Sequence, residues 1–133
     1  MKFGGLPTCR LGRGVAAPLI WRVVAGFEDS YEVSNHGHVR RKKCGHHTRA
    51  GRLLRPCNDR WGYKIVKLAD GMKSKRFFVH RLVAVAFCMN ESNKPMVNHI
   101  DGNKQNNFYA NLEFVTHHEN VAHAVRLGLY RRN

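Results

Sequence analysis

The sequence predicts an α+β protein, with short antiparallel strands first and a strand, loop, strand and helix in its last third. Short apolar and polar alternations separated by Gly, Asn and Asp occur between residues 31 and 79, a pattern typical of antiparallel strands joined by turns. Apolar residues recur at helical spacing in residues 82–87, and residues 116–128 carry helix start and stop signals. Together these patterns favour the α+β class.

The composition indicates a polyanionic partner. The chain of 133 residues is long enough for one domain, or for one domain with a tail. It contains 23 Lys and Arg residues against 9 Asp and Glu residues, for a net charge of +14. No long apolar span or basic amphipathic helix dominates, so we expect nucleic acid rather than a membrane as the partner. A merely basic soluble surface, or a ribosome-associated protein, is the alternative.

The first twenty residues show no steady hydrophobic period and are predicted to form a flexible leader. The apolar run at residues 15–21 is too short for a secretory signal and contains Pro18. We therefore expect neither a signal peptide nor a membrane anchor, and a cytoplasmic location.

Residues 21–40 predict two strands and a turn. The segment 31–34 alternates as a strand does, the segment Asn35, His36, Gly37 is a turn sequence, and residues 38–40 resume a strand.

Residues 40–67 are strongly basic, with ten Lys or Arg residues and one acid, Asp59. Residues 62–68 and 77–79 predict two strands paired across the Asp70-Gly71 turn. We expect the polar face of this sheet to be basic throughout, which suits phosphate contacts, although such runs are often only solvated faces. The candidate DNA-binding residues are Arg40, Arg41, Lys42, Lys43, Arg49, Arg52, Arg55, Arg60, Lys64, His80 and His123.

Residues 80–88 predict a core helix, with His80 as a cap, a packed histidine or a phosphate contact. The four cysteines form no C-x-x-C pair. Cys44 and Cys57 with the two histidines between them could be drawn as a zinc site, but zinc fingers and ribbons do not use this spacing. We therefore do not predict zinc, and we expect reduced thiols rather than disulfides.

Residues 96–129 form the most informative segment. A short strand ends at Asn98 and His99, and a loop rich in Asp, Gly and Asn follows. Residues 112–115 predict a second strand. The T-x-x-E sequence from Thr116 is a capping box, and Gly128 is a helix-ending glycine.

Several motifs in this part of the chain resemble the HNH endonuclease family, in the form found in phage and intron homing nucleases. They are VHRLVAVAF, NHIDGNKQNN, NLEFVT and HENVAHA. An N-terminal segment resembles the small NUMOD4-like module that precedes such nucleases and is thought to help position DNA. It matches at Gly26, Phe27, Tyr31, Val33, Ser34, Asn35 and Gly37.

The resemblance implies a ββα-metal (HNH, His-Me finger) nuclease core at residues 69–133, after a NUMOD4-like β-rich module at residues 21–68. His99 matches the general base, and Asn98 and Asn120 match the metal ligands. Asn111 matches the asparagine that orients the histidine or braces the loop. Relatives often have Asp or His where this chain has Asn98. Two amide ligands would leave the ion dependent on the DNA phosphate for negative charge.

The chemistry of these residue types agrees with that assignment. Phosphodiester hydrolysis needs a base that works near neutral pH, and histidine has an unperturbed pKa of about 6.5. It also needs relief of developing negative charge, which a hard cation held by oxygen ligands supplies. A lone histidine in such a loop is more often a surface or hydrogen-bonded residue, so the ordered set of four residues carries the prediction.

We therefore expect an endonuclease that acts on double-stranded DNA, uses one Mg²⁺ or Mn²⁺ and leaves 5′-phosphate and 3′-hydroxyl ends, by nicking or by double-strand cleavage. The alternative is a DNA-binding module of the same fold with weak or no catalysis. Many homing relatives carry a further C-terminal helix-turn-helix, so we expect low specificity here or a protein partner that supplies it.

Overall fold

The computed structural model describes residues 17–129, so most of the predicted leader lies outside the described residues. Three antiparallel sheets and two helices confirm the predicted α+β class. A short 3-10 helix, Tyr109–Asn111, precedes the last strand. The other elements are β1 Trp21–Val23, β2 Tyr31–Ser34, β3 Val39–Arg41, β4 Cys57–Asn58, β5 Lys64–Asp70, β6 Lys73–Phe78, α1 Val79–Phe87, β7 Met96–His99, β8 Leu112–Val115 and α2 His117–Arg126.

The first sheet has the order β1-β2-β3, with all strands antiparallel. Tyr31 and Val33 of β2 are fully buried, whereas Glu32 between them is partly exposed, as the strand alternation predicts. The predicted turn at residues 35–37 joins β2 to β3. Gly37 has φ +91°, a conformation that glycine adopts without steric cost.

The second sheet has the order β4-β5-β6, and β5 pairs with β6 over six residues from Ile65↔Phe78 to Asp70↔Lys73. This confirms the predicted hairpin. The prediction of a sheet with a basic polar face was wrong for residues 42–56, which form an irregular loop between β3 and β4. The loop folds back on β3, where Leu54 N–H bonds to Val39 O at 2.8 Å. Turn-forming residues and closely spaced charges in this segment compete with a regular strand.

Helix α1 is the centre of the core, as predicted. Val79, Val83 and Phe87 lie on its buried face, in one cluster with residues such as Val33 of the first sheet and Leu112 of β8. A single hydrophobic cluster therefore joins both halves of the chain. The division into units at residues 21–68 and 69–133 stays a prediction.

The last elements form an antiparallel pair, β7 and β8, followed by α2. The predicted capping box is present: the Thr116 hydroxyl accepts from Glu119 N–H, and the Glu119 carboxylate accepts from Thr116 N–H. At the other end Gly128 has φ +69°, and its N–H bonds to Val125 O at 3.1 Å. The predicted helix start and stop are thus confirmed.

Candidate functional site

The end of β7 and the first turn of α2 face one cavity of about 390 Å³. Asn98, His99 and Asn120 all line it, so the structure brings together three of the four residues predicted for the centre. Tyr63 and His80 also line this cavity, which places the second sheet and the start of α1 in its wall.

His99 is buried, with 4% of its surface exposed. Its Nε2 lies 2.8 Å from Oδ1 of Asn107, which is buried to the same extent. An amide oxygen can only accept, so this contact requires a proton on Nε2 and leaves Nδ1 as the basic nitrogen. The ring thus carries the tautomer that a general base needs.

Burial lowers the pKa of His99 from its ordinary value, while the hydrogen bond that its ring donates to Asn107 and the charge of Asp101 raise it in part. The net direction is downward because the protonated ring loses its hydration. At neutral pH the imidazole is therefore neutral and able to accept a proton.

Asn98 is also buried, and its Nδ2 donates to Oε1 of Glu113 at 3.0 Å. Glu113 is the β8 residue directly opposite Asn98 in the strand register. The bond fixes the amide plane, and it leaves the carbonyl oxygen Oδ1 as the atom suited to a cation.

Asn120 owes its position to the start of α2. Its N–H bonds to Thr116 O at 3.0 Å, one turn back. Glu119 of the capping box also accepts a hydrogen bond from Lys94 Nζ at 2.8 Å. The helix start is therefore held both by its own cap and by the segment before β7.

Asn111 braces the loop and does not contact the histidine. Its Nδ2 donates to Asp101 Oδ1 at 2.8 Å and to Asn106 O at 2.9 Å, and its Oδ1 accepts from Asp101 N–H at 3.0 Å. Of the two roles expected for Asn111, the structure shows loop bracing, and Asn107 makes the contact with His99.

His80 is a packed histidine rather than a helix cap. It is 7% exposed, and its ring centroid lies 5.0 Å from that of His99. Burial, then the neighbouring His99 and Arg81, lower the pKa of His80 to about 4. The ring is thus uncharged at neutral pH, so a phosphate contact by His80, which stays a prediction, would be a hydrogen bond from a neutral ring rather than an ion pair.

The other candidate DNA-binding residues lie mainly outside the cavity. Arg40 is paired with Glu32 at 2.7 Å and lies over the Trp21 ring at 4.0 Å, so its charge is already partly satisfied. His123 lines the cavity, and its Nε2 lies 2.8 Å from Ile100 O. The exposed candidates are Lys42, Lys43, Arg49, Arg52, Arg55 and Arg60.

Within residues 17–129, no cluster of three or more His, Cys, Asp or Glu side chains is arranged to hold a metal ion. Cys44 and Cys57 are exposed free thiols, and Cys9 lies outside the described residues. No helix in the described part is long and apolar enough to cross a membrane.

Sequence reasoning missed Asn107, Glu113 and Tyr63 as parts of this site. Glu113 could have been found from the register of a β7–β8 hairpin, since it lies opposite Asn98. The sequence does not single out Asn107, because the loop contains several asparagines and any of them could bond to the histidine.

A strand, loop, strand and helix that place Asn98, His99 and Asn120 around a single cavity define the ββα class of nuclease-like sites. Comparison with known families agrees with this class: residues 20–69 match the NUMOD4 motif, and residues 77–122 match the HNH endonuclease family. The chain thus contains a segment of the HNH endonuclease family preceded by a NUMOD4 motif, as the sequence resemblance predicted.

The chain is similar to curated relatives over most of its length. The chain is 38% identical over 108 residues to DNA endonuclease I-HmuI of Bacillus phage SP01, an alignment that covers 81% of this chain and 59% of the relative. It is 41% identical over 109 residues to an uncharacterised HNH endonuclease, L245, of Acanthamoeba polyphaga mimivirus, covering 82% and 31% of the two chains. The chain thus spans less than two thirds of these relatives.

A solved structure described as DNA binding and cleavage by the HNH homing endonuclease I-HmuI has a similar fold. The TM-score is 0.75 at 37% sequence identity, and the match covers 85% of this chain and 62% of that one.

Proposed function

We propose that this chain carries the cleavage centre of a metal-dependent DNA endonuclease that hydrolyses phosphodiester bonds. The observation that carries the proposal is the convergence of Asn98, His99 and Asn120 on one cavity. The relatives named as DNA or HNH endonucleases support the same reaction.

In this proposal His99 is the general base. Its neutral ring, with Nε2 directed to Asn107, has Nδ1 available to take a proton from the attacking water. Burial keeps the ring deprotonated at neutral pH, and the hydrogen bond to Asn107 stabilises the imidazolium after the proton has moved. General-base catalysis of this kind contributes about 10²-fold to 10⁴-fold in rate.

The donor set fits one hard divalent cation, Mg²⁺ or Mn²⁺. Oδ1 of Asn98 and the side-chain oxygen of Asn120 would be the oxygen ligands, and no cysteine is among the described residues that line the cavity. When bound, such an ion supplies charge stabilisation to the phosphate and the departing 3′ oxygen. Because both amides are neutral, the scissile phosphate is the natural source of the negative charge that completes the site.

The charge of the protein suits a DNA partner. The net charge is +14, and the ion pairs between described residues are Arg40 with Glu32 and Lys94 with Glu119. The exposed basic residues between β3 and β5 are thus available to neutralise phosphates.

The test is to incubate supercoiled plasmid with purified protein in Mg²⁺ and in chelator. We expect nicked or linear DNA only with Mg²⁺, and ends that DNA ligase can rejoin, since 5′-phosphate and 3′-hydroxyl ends are required for ligation. His99→Ala should abolish most of this cleavage, while the same change at His38, an exposed histidine just before β3, should not. DNA binding without cleavage by the parent protein would favour the binding-module alternative.

A further inference from the structure

The β2–β3 turn of the first sheet packs against the loop segment that carries Asn107. Tyr109 N–H bonds to Asn35 O at 2.9 Å, and the His36 and Phe108 ring centroids lie 5.0 Å apart. Gly37 makes the closest approach: a Cβ placed on it would lie 2.8 Å from Asn107 Cβ. Three consecutive residues of the loop thus meet this turn.

Hydrogen bonding fixes only one end of the Asn107 amide. Its Oδ1 accepts from His99, but its Nδ2 is buried without a hydrogen-bond partner among the described residues. A buried N–H without an acceptor is unfavourable, so packing rather than hydrogen bonding must hold this amide orientation. Gly37 is part of that packing, because its lack of a side chain lets the turn approach the Asn107 Cβ and carbonyl closely.

We propose that Gly37 is a positioning residue of the cleavage centre, which acts through Asn107 to hold His99 in the Nε2-protonated tautomer. The β2–β3 turn, which lies in the segment that matches the NUMOD4 motif, would then help to position the histidine of the cleavage centre, in addition to any role in DNA contact. The catalytic consequence rests on the function proposed above, whereas the structural consequence can be measured without cleavage.

The geometry shows why a side chain at position 37 cannot simply turn away. Besides Asn107 Cβ, the added Cβ would meet the Asn107 carbonyl oxygen at 3.2 Å and carbonyl carbon at 3.5 Å. These are backbone atoms, so relief of the contact must move the loop and, with it, the amide that holds His99. Misplacing a reacting group by about 1 Å can cost about 10²-fold in rate, and we expect a loss on the order of 10-fold for this smaller shift.

The chain offers a matched control for backbone strain. Gly26, in the β1–β2 turn, has φ +83°, close to the +91° of Gly37, but a Cβ there would meet no atom within 4 Å. Gly37→Ala and Gly26→Ala therefore impose similar strain, and only the first disturbs Asn107.

The first measurement is single-turnover cleavage at saturating DNA, together with DNA affinity. We expect Gly37→Ala to lower the cleavage rate about 10-fold at unchanged affinity, and Gly26→Ala to match the parent. In an Asn107→Ala background, Gly37→Ala should have no further effect, because its route to His99 is gone. Equal rates for the two glycine variants, or additive losses in the double variant, would overturn the proposal.

The second measurement is the tautomer of His99, read from ¹⁵N shifts and two-bond ¹H–¹⁵N couplings by NMR. The parent should show Nε2–H, and Gly37→Ala should shift the population toward Nδ1–H while Gly26→Ala does not. An Nδ1–H tautomer in the parent would exclude the role of Asn107 even if Gly37→Ala failed to fold. If the parent cleaved no DNA, the proposed function would fail, and the tautomer comparison would still decide the positioning role.

Discussion

Asn98 and Glu113 face each other across the β7–β8 pair, and the Asn98 amide donates to the Glu113 carboxylate at 3.0 Å. The carboxylate fixes the amide and polarises it, which increases the negative charge on Asn98 Oδ1. The neutral amide of Asn98 is therefore hydrogen-bonded to a negatively charged carboxylate. The expected pair of amide ligands thus includes one that Glu113 makes a better electron donor.

Metal binding should depend on both DNA and this pair. We expect the parent to bind Mn²⁺ more tightly in a DNA complex than alone, because the phosphate adds negative charge. By thermodynamic linkage, Mn²⁺ should raise the affinity for DNA by the same factor. Asn98→Asp should strengthen Mn²⁺ binding to the free protein by restoring a charged ligand. It should also lower the free energy of unfolding of the metal-free protein, because the carboxylate introduced at position 98 would lie next to that of Glu113. Calorimetric titration and urea unfolding measure these effects.

The control for that titration is Glu113→Gln, which removes the charge behind Asn98 and keeps a similar shape. It should lower Mn²⁺ affinity by about 10-fold, the usual scale for an outer partner of a metal ligand. Equal Mn²⁺ affinity with and without DNA in the parent would contradict a site completed by phosphate, and would redirect attention to a carboxylate such as Asp101.

Removal of the base should affect chemistry and not binding. His99→Ala should lower the cleavage rate by at least about 10²-fold, because the attacking water loses its proton acceptor. DNA affinity should change little, since His99 is buried. The rate is measured at saturating DNA and the affinity by anisotropy. Unchanged cleavage would remove His99 from the mechanism.

The basic loop should set affinity without sequence preference. Arg52 and Arg55 are exposed in the loop between β3 and β4. Neutralising both with Gln should weaken binding to every sequence and flatten the log–log salt dependence by about 1 to 2. Arg40→Gln is the matched control: Arg40 is already paired with Glu32, so the slope should hardly change. A loss confined to one DNA sequence would indicate base reading instead.

The buried His80 should make stability depend on pH. Its pKa is about 4 in the folded chain, against about 6.5 when unfolded. Between these values only the unfolded state takes up the proton, so the free energy of unfolding falls as pH drops below 6.5. Between pH 7 and pH 5, His80 alone should lower the free energy of unfolding by about 2 kcal/mol.

Urea unfolding at both pH values checks this. His80→Gln should reduce the pH-dependent loss by that amount, while His38→Gln, an exposed histidine, should leave it as in the parent. The same pH dependence in His80→Gln as in the parent would show that His80 is not the group responsible.

Much of the secondary structure and half of the site could be predicted because the signals are local. Thr116 and Glu119 specify the start of α2 through bonds three residues apart, and Gly128 specifies its end through its backbone conformation. The pairing of β5 with β6 follows from the Asp70-Gly71 turn.

The prediction that failed was the regular sheet at residues 42–56, which was inferred from charge alone. Charge in residues 42–56 indicated a surface that meets water, but it did not distinguish a strand from a loop. The role of His80 was left open for a related reason, since burial decides whether a histidine is charged, and burial comes from packing against Tyr63, Phe78 and His99.

The sequence by itself predicted the strand, loop, strand and helix unit, the match to the HNH and NUMOD4 segments, and the candidate residues Asn98, His99 and Asn120, which line one cavity. Each of these depends on short-range order along the chain. Only the tertiary structure decided that Asn107 rather than Asn111 bonds to the histidine. It also decided that Glu113 accepts a hydrogen bond from Asn98, and that Gly37 packs on the loop that carries Asn107. These contacts join residues that are distant along the chain or alike in type, so only three-dimensional packing could choose among them.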